Sequence, residues 1–351
     1  MHPPPPSTPT TRAALLPLLT ATGPTLRQLY ARADATRRAH FGDTVPIRAI
    51  IEFSNLCANN CLYCGIRADN PRATRYRMTT AEILDAVRQV VATHTAGTIV
   101  LQSGETPGHG DRHLTDLIRQ IKTEHPHLAI TLSVGSRPKR TYAQWRDAGL
   151  DRFLLRFETS HPTLFARLHP GETLDQRLTS LRHLRELGIQ TGGGFLIGLP
   201  GETLEILADN ILLCQQHNFD MIGIGPFIPH PHTPLANQAN AWAHDPDMFF
   251  RTIAALRLAC PRAHIPATTA YDALFPDGRN RALQCGANVF MPNATPPAHR
   301  QKYQLYPGKP DPTTDPTQWA QATHQRLHTL GRPPDPGPAH SLIHPPRSST
   351  P

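Results

Sequence analysis

Between residues 45 and 292 the chain runs through eight apolar stretches, each apart from the last followed by an amphipathic one. The apolar stretches are "VPIRAIIEFSN", "GTIVLQSG", "LAITLSVG", "DRFLLRFET", "IQTGGGFLIG", "FDMIGIGPF", "AHIPATTA" and "ANVFMP". They are rich in branched residues and read as buried strands. The stretches between them carry apolar residues at helical spacing, as in "TTAEILDAVRQVVATH", which opens on a Thr cap. Buried strands alternating with helices predict a parallel sheet. Eight units of about thirty residues predict an α/β fold closed into a (β/α)8 TIM-type barrel. An open doubly wound sheet is the other solution.

The barrel is expected over residues 46–310, after a helical lead-in at 12–45 and before a helical segment at 311–331. Residues 1–11 and 332–351 are Pro-rich and are expected to be disordered tails. No apolar run reaches membrane-spanning length and no secretory signal opens the chain, so a cytoplasmic protein without a membrane partner is expected. The net charge of +8 is mostly arginine, spread along the chain without interleaved aromatics. That pattern speaks against nucleic acid and leaves an anionic substrate open.

In such a barrel the chemistry sits where strands end. Three cysteines, Cys57, Cys61 and Cys64, directly follow the first strand. A structural zinc wants a fourth ligand, and no second cysteine pair or nearby His supplies it. A redox pair would leave Cys57 idle. An iron–sulfur cluster on three thiolates leaves one iron open for a further ligand. Cys214, Cys260 and Cys285 are isolated and read as small buried hydrophobes. The run Gly192–Gly193–Gly194 precedes "FLIGLPG" and does not open a helix, so close backbone approach is expected there, not a dinucleotide loop. His230 and His232 lack a third ligand nearby and read as part of a Pro-stiffened loop.

The Cys57-x3-Cys61-x2-Cys64 motif, with Tyr63 before its last cysteine, resembles the signature of the radical S-adenosylmethionine (SAM) enzymes. That resemblance implies a 4Fe–4S cluster on the three cysteines. The cluster binds SAM through its amino and carboxylate groups, and one electron releases a 5′-deoxyadenosyl radical. "QSGETP" resembles the family's motif for the SAM amino group, with Gly104 and Glu105. "RFETSHPTLFARLHP" and "QRL" resemble the branch of HydE-type FeFe-hydrogenase maturases, where Glu158 and Arg177 would hold polar groups of SAM. "GGGFLIGLPGET", "DMIGIGPFIPHPHTPL" and "ANVFMPNATPPAHRQKYQLYPGKP" extend the likeness from Arg48 to Pro310. It further implies Tyr63, Ser133 and Ile224 as cofactor contacts, and Arg156, Thr268, Thr269, Tyr303 and Tyr306 as substrate contacts.

The implied function is SAM cleavage in maturation of the hydrogenase H-cluster. The substrate would be a small organometallic iron complex carrying CO, cyanide and cysteine. The implied partners are an electron donor such as ferredoxin or flavodoxin and other hydrogenase maturases. A HydE paralogue, a methylornithine-synthase-like mutase or lyase, and a non-enzymatic iron–sulfur or zinc protein are the alternatives. Three positions depart from the family strings: His232 replaces an acid, Ala294 a Trp and Phe157 a His. All three are expected near the mouth, where they would mark an altered substrate. Ser103 and Ser133 stand where biotin synthase has cysteines, which argues against sulfur donation.

Overall fold

The computed structural model describes residues 8–106, 110–309 and 316–345. Its centre is a ring of eight parallel strands. These are β1 (Arg48–Ser54), β2 (Thr98–Ser103), β3 (Ala129–Ser133), β4 (Arg152–Leu154), β5 (Gln190–Gly193), β6 (Met221–Ile222), β7 (Pro266–Ala267) and β8 (Val289–Phe290). The first six form one continuous sheet, and β7 pairs with β8. Single bridges close the ring. Met221 meets His264 just before β7, while Ile47 and Ile50 meet Phe290 and Asn293. Ile222 N donates to His264 O at 2.8 Å, and Ala294 N to Ile50 O at 2.7 Å. The sheet is therefore a closed barrel and not an open one.

The apolar stretches are longer than the strands they form. "IQTGGGFLIG" breaks at Gly194, whose φ is +149° and whose missing side chain lets the Gly223 carbonyl approach. Beyond the break, Leu196–Ile197 pairs with Gly225–Pro226 as a separate ladder on the rim. The glycines thus make a close backbone approach and permit a kink that a bulkier residue would block.

Two lead-in helices, α1 (Arg12–Leu19) and α2 (Gly23–Phe41), precede the barrel. The outer ring holds α3 (Thr80–Ala92), α4 (Asp111–Glu124), α5 (Lys139–Asp147), α6 (Pro162–Leu168), α7 (Leu174–Glu186), α8 (Leu204–Gln216), α9 (Asp247–Ala259), α10 (Thr269–Leu274) and α11 (Gly278–Gln284). In α3, Thr79 and Glu82 cap each other's backbone N–H, and Ile83, Ala86, Val87 and Val90 form the stripe it buries. The lead-in seats Ala33 against Ala254 and Leu258 of α9.

Residues 332–345, expected within a disordered tail, instead cross the base of the barrel. Pro334–Asp335 pairs with Val45–Pro46. Arg152 donates to Pro338 O at 2.6 Å and Ala339 O at 3.1 Å, and Arg48 donates to Ala339 O at 3.3 Å. Thr98 Oγ1 donates to Pro338 O at 3.0 Å, and Gln190 Nε2 to His344 O at 2.9 Å. Burial lowers the pKa of both arginines, that of Arg152 to about 10. Peptide carbonyls accept hydrogen bonds from these buried donors, alongside Gln190 Oε1 and Thr98 Oγ1 for Arg152, and a Pro-rich backbone supplies them without needing an apolar sequence. Thr8 to Thr11 are likewise described, with Thr11 capping α1. The remainder of both expected tails, residues 1–7 and 346–351, lies outside the described residues.

Candidate functional site

The C-terminal ends of the strands open on a cavity of about 320 Å³. It is lined by Cys57, Cys61 and Cys64 and by charged side chains from distant parts of the chain. The cysteine loop is held at its first turn by Ala58 N donating to Glu105 O at 2.7 Å. Gly104 lies so close to Leu56 O and Cys57 Cβ that any side chain there would strike them. The glycine of "QSGETP" therefore lets the end of β2 press against the cysteine loop.

Burial raises the pKa of all three thiols, that of Cys64 to about 12, and neighbouring cysteines add to the rise for Cys61 and Cys64. Cysteine binds metal as the deprotonated thiolate, so this arrangement needs a compensating positive charge. Among the described residues, no three His, Cys, Asp or Glu side chains converge on one metal ion. Three cysteines, Cys61 buried and Cys57 and Cys64 partly buried, set around a cavity and not around a point, fit a multi-iron cluster better than a single zinc.

Beside the cysteines lies a cluster of buried charged and polar side chains centred on Arg177. Arg177, from α7, is 4% exposed. It pairs with Glu172, lies 3.6 Å from Glu105 Oε2 and 3.1 Å from His169 Nε2. Burial works against its charge, and Glu105 and Glu172 more than offset it. Burial, aided by the charge of Arg177, lowers the pKa of His169 to about 3, so the imidazole is neutral. Arg177 Nε and His169 Nδ1 are buried without a hydrogen-bond partner. Orphaned buried polar groups on a cavity wall fit an anionic ligand group, such as a carboxylate. Glu105 itself is fixed by Asn59 Nδ2 at 3.0 Å and Ser136 N at 2.8 Å.

Glu158 has a φ of +62°, a conformation that costs a non-glycine residue about 1–3 kcal/mol and tends to mark functional positions. Its amide donates to Gly194 O at 3.1 Å, so the kink in the glycine run aims it. Arg156 donates to its carboxylate. Across the cavity, Tyr306 and Thr269 share a hydrogen bond at 2.7 Å, Thr268 donates to Ile224 O at 3.2 Å, and Gln102 donates to the Tyr303 hydroxyl at 3.3 Å.

Fourteen of the residues expected in the site line this one cavity: Cys57, Cys61, Tyr63, Cys64, Gly104, Glu105, Ser133, Arg156, Glu158, Arg177, Thr268, Thr269, Tyr303 and Tyr306. Ile224 does not. Its side chain is fully buried in the core, and only its carbonyl faces Thr268. The three departures also sit elsewhere. His232 is exposed, Phe157 packs between Phe195 and Phe219 in the core, and Ala294 packs against the core behind β1. None of the three lines the cavity, so the expectation that they mark an altered substrate is not supported. Cavity residues that sequence reasoning missed include Glu52, Gln102, His169 and Lys309. The inward parity of β1 and β2 could have found the first two, since Glu52 and Gln102 stand two places after Ile50 and Val100.

Comparisons with known proteins agree with this geometry. Residues 51–214 match the model of the Radical SAM superfamily. The chain is 50% identical over 281 residues to the FeFe-hydrogenase maturase subunit HydE of Thermotoga maritima, covering 80% of this chain and 79% of that one. It is 29% identical to the 3-methylornithine synthase of Methanosarcina acetivorans, over 75% of this chain and 73% of that one. A crystal structure of methylornithine synthase superposes with a TM-score of 0.81 at 25% identity, covering 93% of this chain and 94% of that one.

Proposed function

The chain belongs to the radical SAM superfamily and, within it, to the HydE family, and from that premise we propose that its barrel cavity holds a 4Fe–4S cluster and SAM in the service of FeFe-hydrogenase maturation. The observation that carries this reading is the meeting, in one cavity, of three cysteines with Glu105, Glu158 and Arg177. Cys57, Cys61 and Cys64 would ligate the cluster. Arg177, with an unpartnered Nε, would take the carboxylate of SAM, while Glu105 and Glu158 would take cationic or hydroxyl groups. Bound together, cluster and SAM supply one-electron chemistry, the reductive cleavage of a sulfonium to a 5′-deoxyadenosyl radical.

The chain's own residues do the rest. The packed barrel wall surrounds the cavity below its mouth, and a reactive radical requires such shelter from bulk water. Arg156, Thr268, Thr269, Tyr303 and Tyr306 offer donors around the remaining space, where a small anionic iron complex would sit. A one-electron donor protein of ferredoxin or flavodoxin type completes the system. Other hydrogenase maturases would exchange the substrate and product with it. No described helix is long and apolar enough to cross a membrane. A reducing, cytoplasmic setting suits the six free thiols.

The test is anaerobic reconstitution. The protein should bind about four iron per chain. With SAM, dithionite and the iron–cysteine complex, it should form 5′-deoxyadenosine and consume the complex. It should also restore hydrogenase activity in a host lacking its own HydE. SAM cleavage without complementation would point to a paralogue, and no cleavage under any condition would defeat the reading.

A further inference from the structure

We propose that Glu52 and Lys309 are positioning residues whose buried ion pair pins the loop after β8 to β1 and thereby braces the cysteine loop. Only the kinetic readout below rests on the function proposed above.

The pair joins positions 257 apart in the chain, and both side chains line the cavity. Their side chains are 3% and 8% exposed. Glu52 Oε1 accepts from Lys309 Nζ, and Glu52 Oε2 accepts from Asn293 Nδ2 at 3.0 Å. Lys309 Nζ also stands 5.1 Å from the centre of the Tyr303 ring. Glu52 is held from behind as well, with its amide donating to Thr295 Oγ1 at 2.8 Å and its carbonyl accepting from the Tyr76 hydroxyl.

The loop from 302 to 309 touches the cysteine loop directly. Gly65 follows Cys64, and its amide donates to Leu305 O at 3.0 Å. Gly65 is pressed between Gln304 O and the His230 ring so closely that no side chain fits. Asn55 Nδ2, two residues before Cys57, donates to Lys302 O at 2.7 Å. The loop is thus the surface against which both ends of the cysteine motif rest. Its other anchors described here are neutral hydrogen bonds, and the Lys309 contact is ionic. A buried ion pair adds little net stability, because desolvation offsets attraction, but losing one partner strands a charge. Such a pair sets position. Without it the loop has to shift to hydrate the remaining charge, and Gly65 moves with it.

The test uses the full, anaerobically reconstituted chain with Lys309→Met, Glu52→Gln and the swapped Glu52→Lys/Lys309→Glu. Amide hydrogen exchange should rise about tenfold or more in peptides covering 61–66 and 302–309 in both single variants. Peptides from β3 should not change. The swapped variant should return to within about twofold of wild type. With SAM and dithionite, kcat for 5′-deoxyadenosine should fall about 10–100-fold while KM for SAM stays within about twofold, because a small displacement of reacting groups acts on the rate. Unchanged exchange at 61–66, exchange rising across the whole barrel, or a KM effect without a kcat effect would overturn the proposal. Should Lys309→Met not fold, Lys309→Arg decides. It keeps the charge but changes the reach, so exchange should rise in the same two peptides, and no rise would overturn the pin. A wild type that never cleaves SAM would defeat the function proposed above and leave the exchange test standing.

Discussion

Arg156 grips the Glu158 carboxylate with two donors, Nη2 at 2.6 Å and Nε at 3.1 Å, across a single intervening residue whose side chain points into the core. A residue assigned to substrate and one assigned to cofactor are therefore one unit. Ligands on either side of the pair will feel each other through it.

Glu158→Ala and Arg177→Ala should each weaken SAM binding by about 1.5–3 kcal/mol, the worth of a charged hydrogen bond. Iron content should stay at the wild-type value. A double-mutant cycle of Arg156→Ala with Glu158→Ala should return a coupling energy of about 0.5–3 kcal/mol, as residues in contact do. Calorimetry with SAM checks both, and additive losses would separate the two residues.

Replacing any one of Cys57, Cys61 or Cys64 by Ala should remove most of the bound iron, since among the described residues the only other cysteine or histidine lining the cavity is His169. Replacing Cys214, Cys260 or Cys285 should leave iron intact, because all three are buried away from the cavity. Iron analysis and low-temperature electron paramagnetic resonance after reconstitution distinguish the two groups.

Glu202 gives a pH signature unrelated to iron. Burial raises its pKa to about 8, against the pull of Trp242 Nε1 and the Gly198 amide. A carboxyl raised in the folded state stabilises the protein below its unfolded pKa and loses that contribution as pH rises to its folded value. Wild type should therefore lose a few kcal/mol, relative to Glu202→Gln, between about pH 4.5 and pH 8. Thermal unfolding of both proteins across that range measures it, and parallel curves would show that Glu202 is ionised throughout.

A chain ending at Pro333 should lose the carbonyls that Arg48 and Arg152 use. Arg152 would keep Gln190 Oε1 and Thr98 Oγ1 as acceptors, and the lost charged hydrogen bonds should cost about 1–3 kcal/mol for each arginine. Arg152→Met should be less harmful in the shortened chain than in the full one. Equal effects in both would mean that the strap contributes nothing through that side chain.

The barrel was legible because buried parallel strands leave long apolar runs, and the cysteine motif was legible because its ligands are adjacent in sequence. The strap was not, because its contacts run through peptide carbonyls. Pro338 and Ala339 bind arginines with atoms that every residue has, so composition alone assigned them to disorder. Lys309 was hidden for another reason, since its partner lies on the first strand and nothing local marks the pair. Ile224 sits in a matching string, yet its side chain is buried in the core between two strands. Phe157 is likewise buried in the core, between two residues that line the cavity.

The strap also sets a clock on synthesis. Arg48 and Ala339 are 291 positions apart. At about 5–20 residues per second, the first strand waits roughly 15–60 s on the ribosome before its last acceptor is made. Until then Arg48 and Arg152 lack the strap carbonyls, and Arg152 has only Gln190 Oε1 and Thr98 Oγ1 to donate to. The nascent chain cannot reach its final compactness early, however well its strands pair, and a chaperone would meet it open at that end.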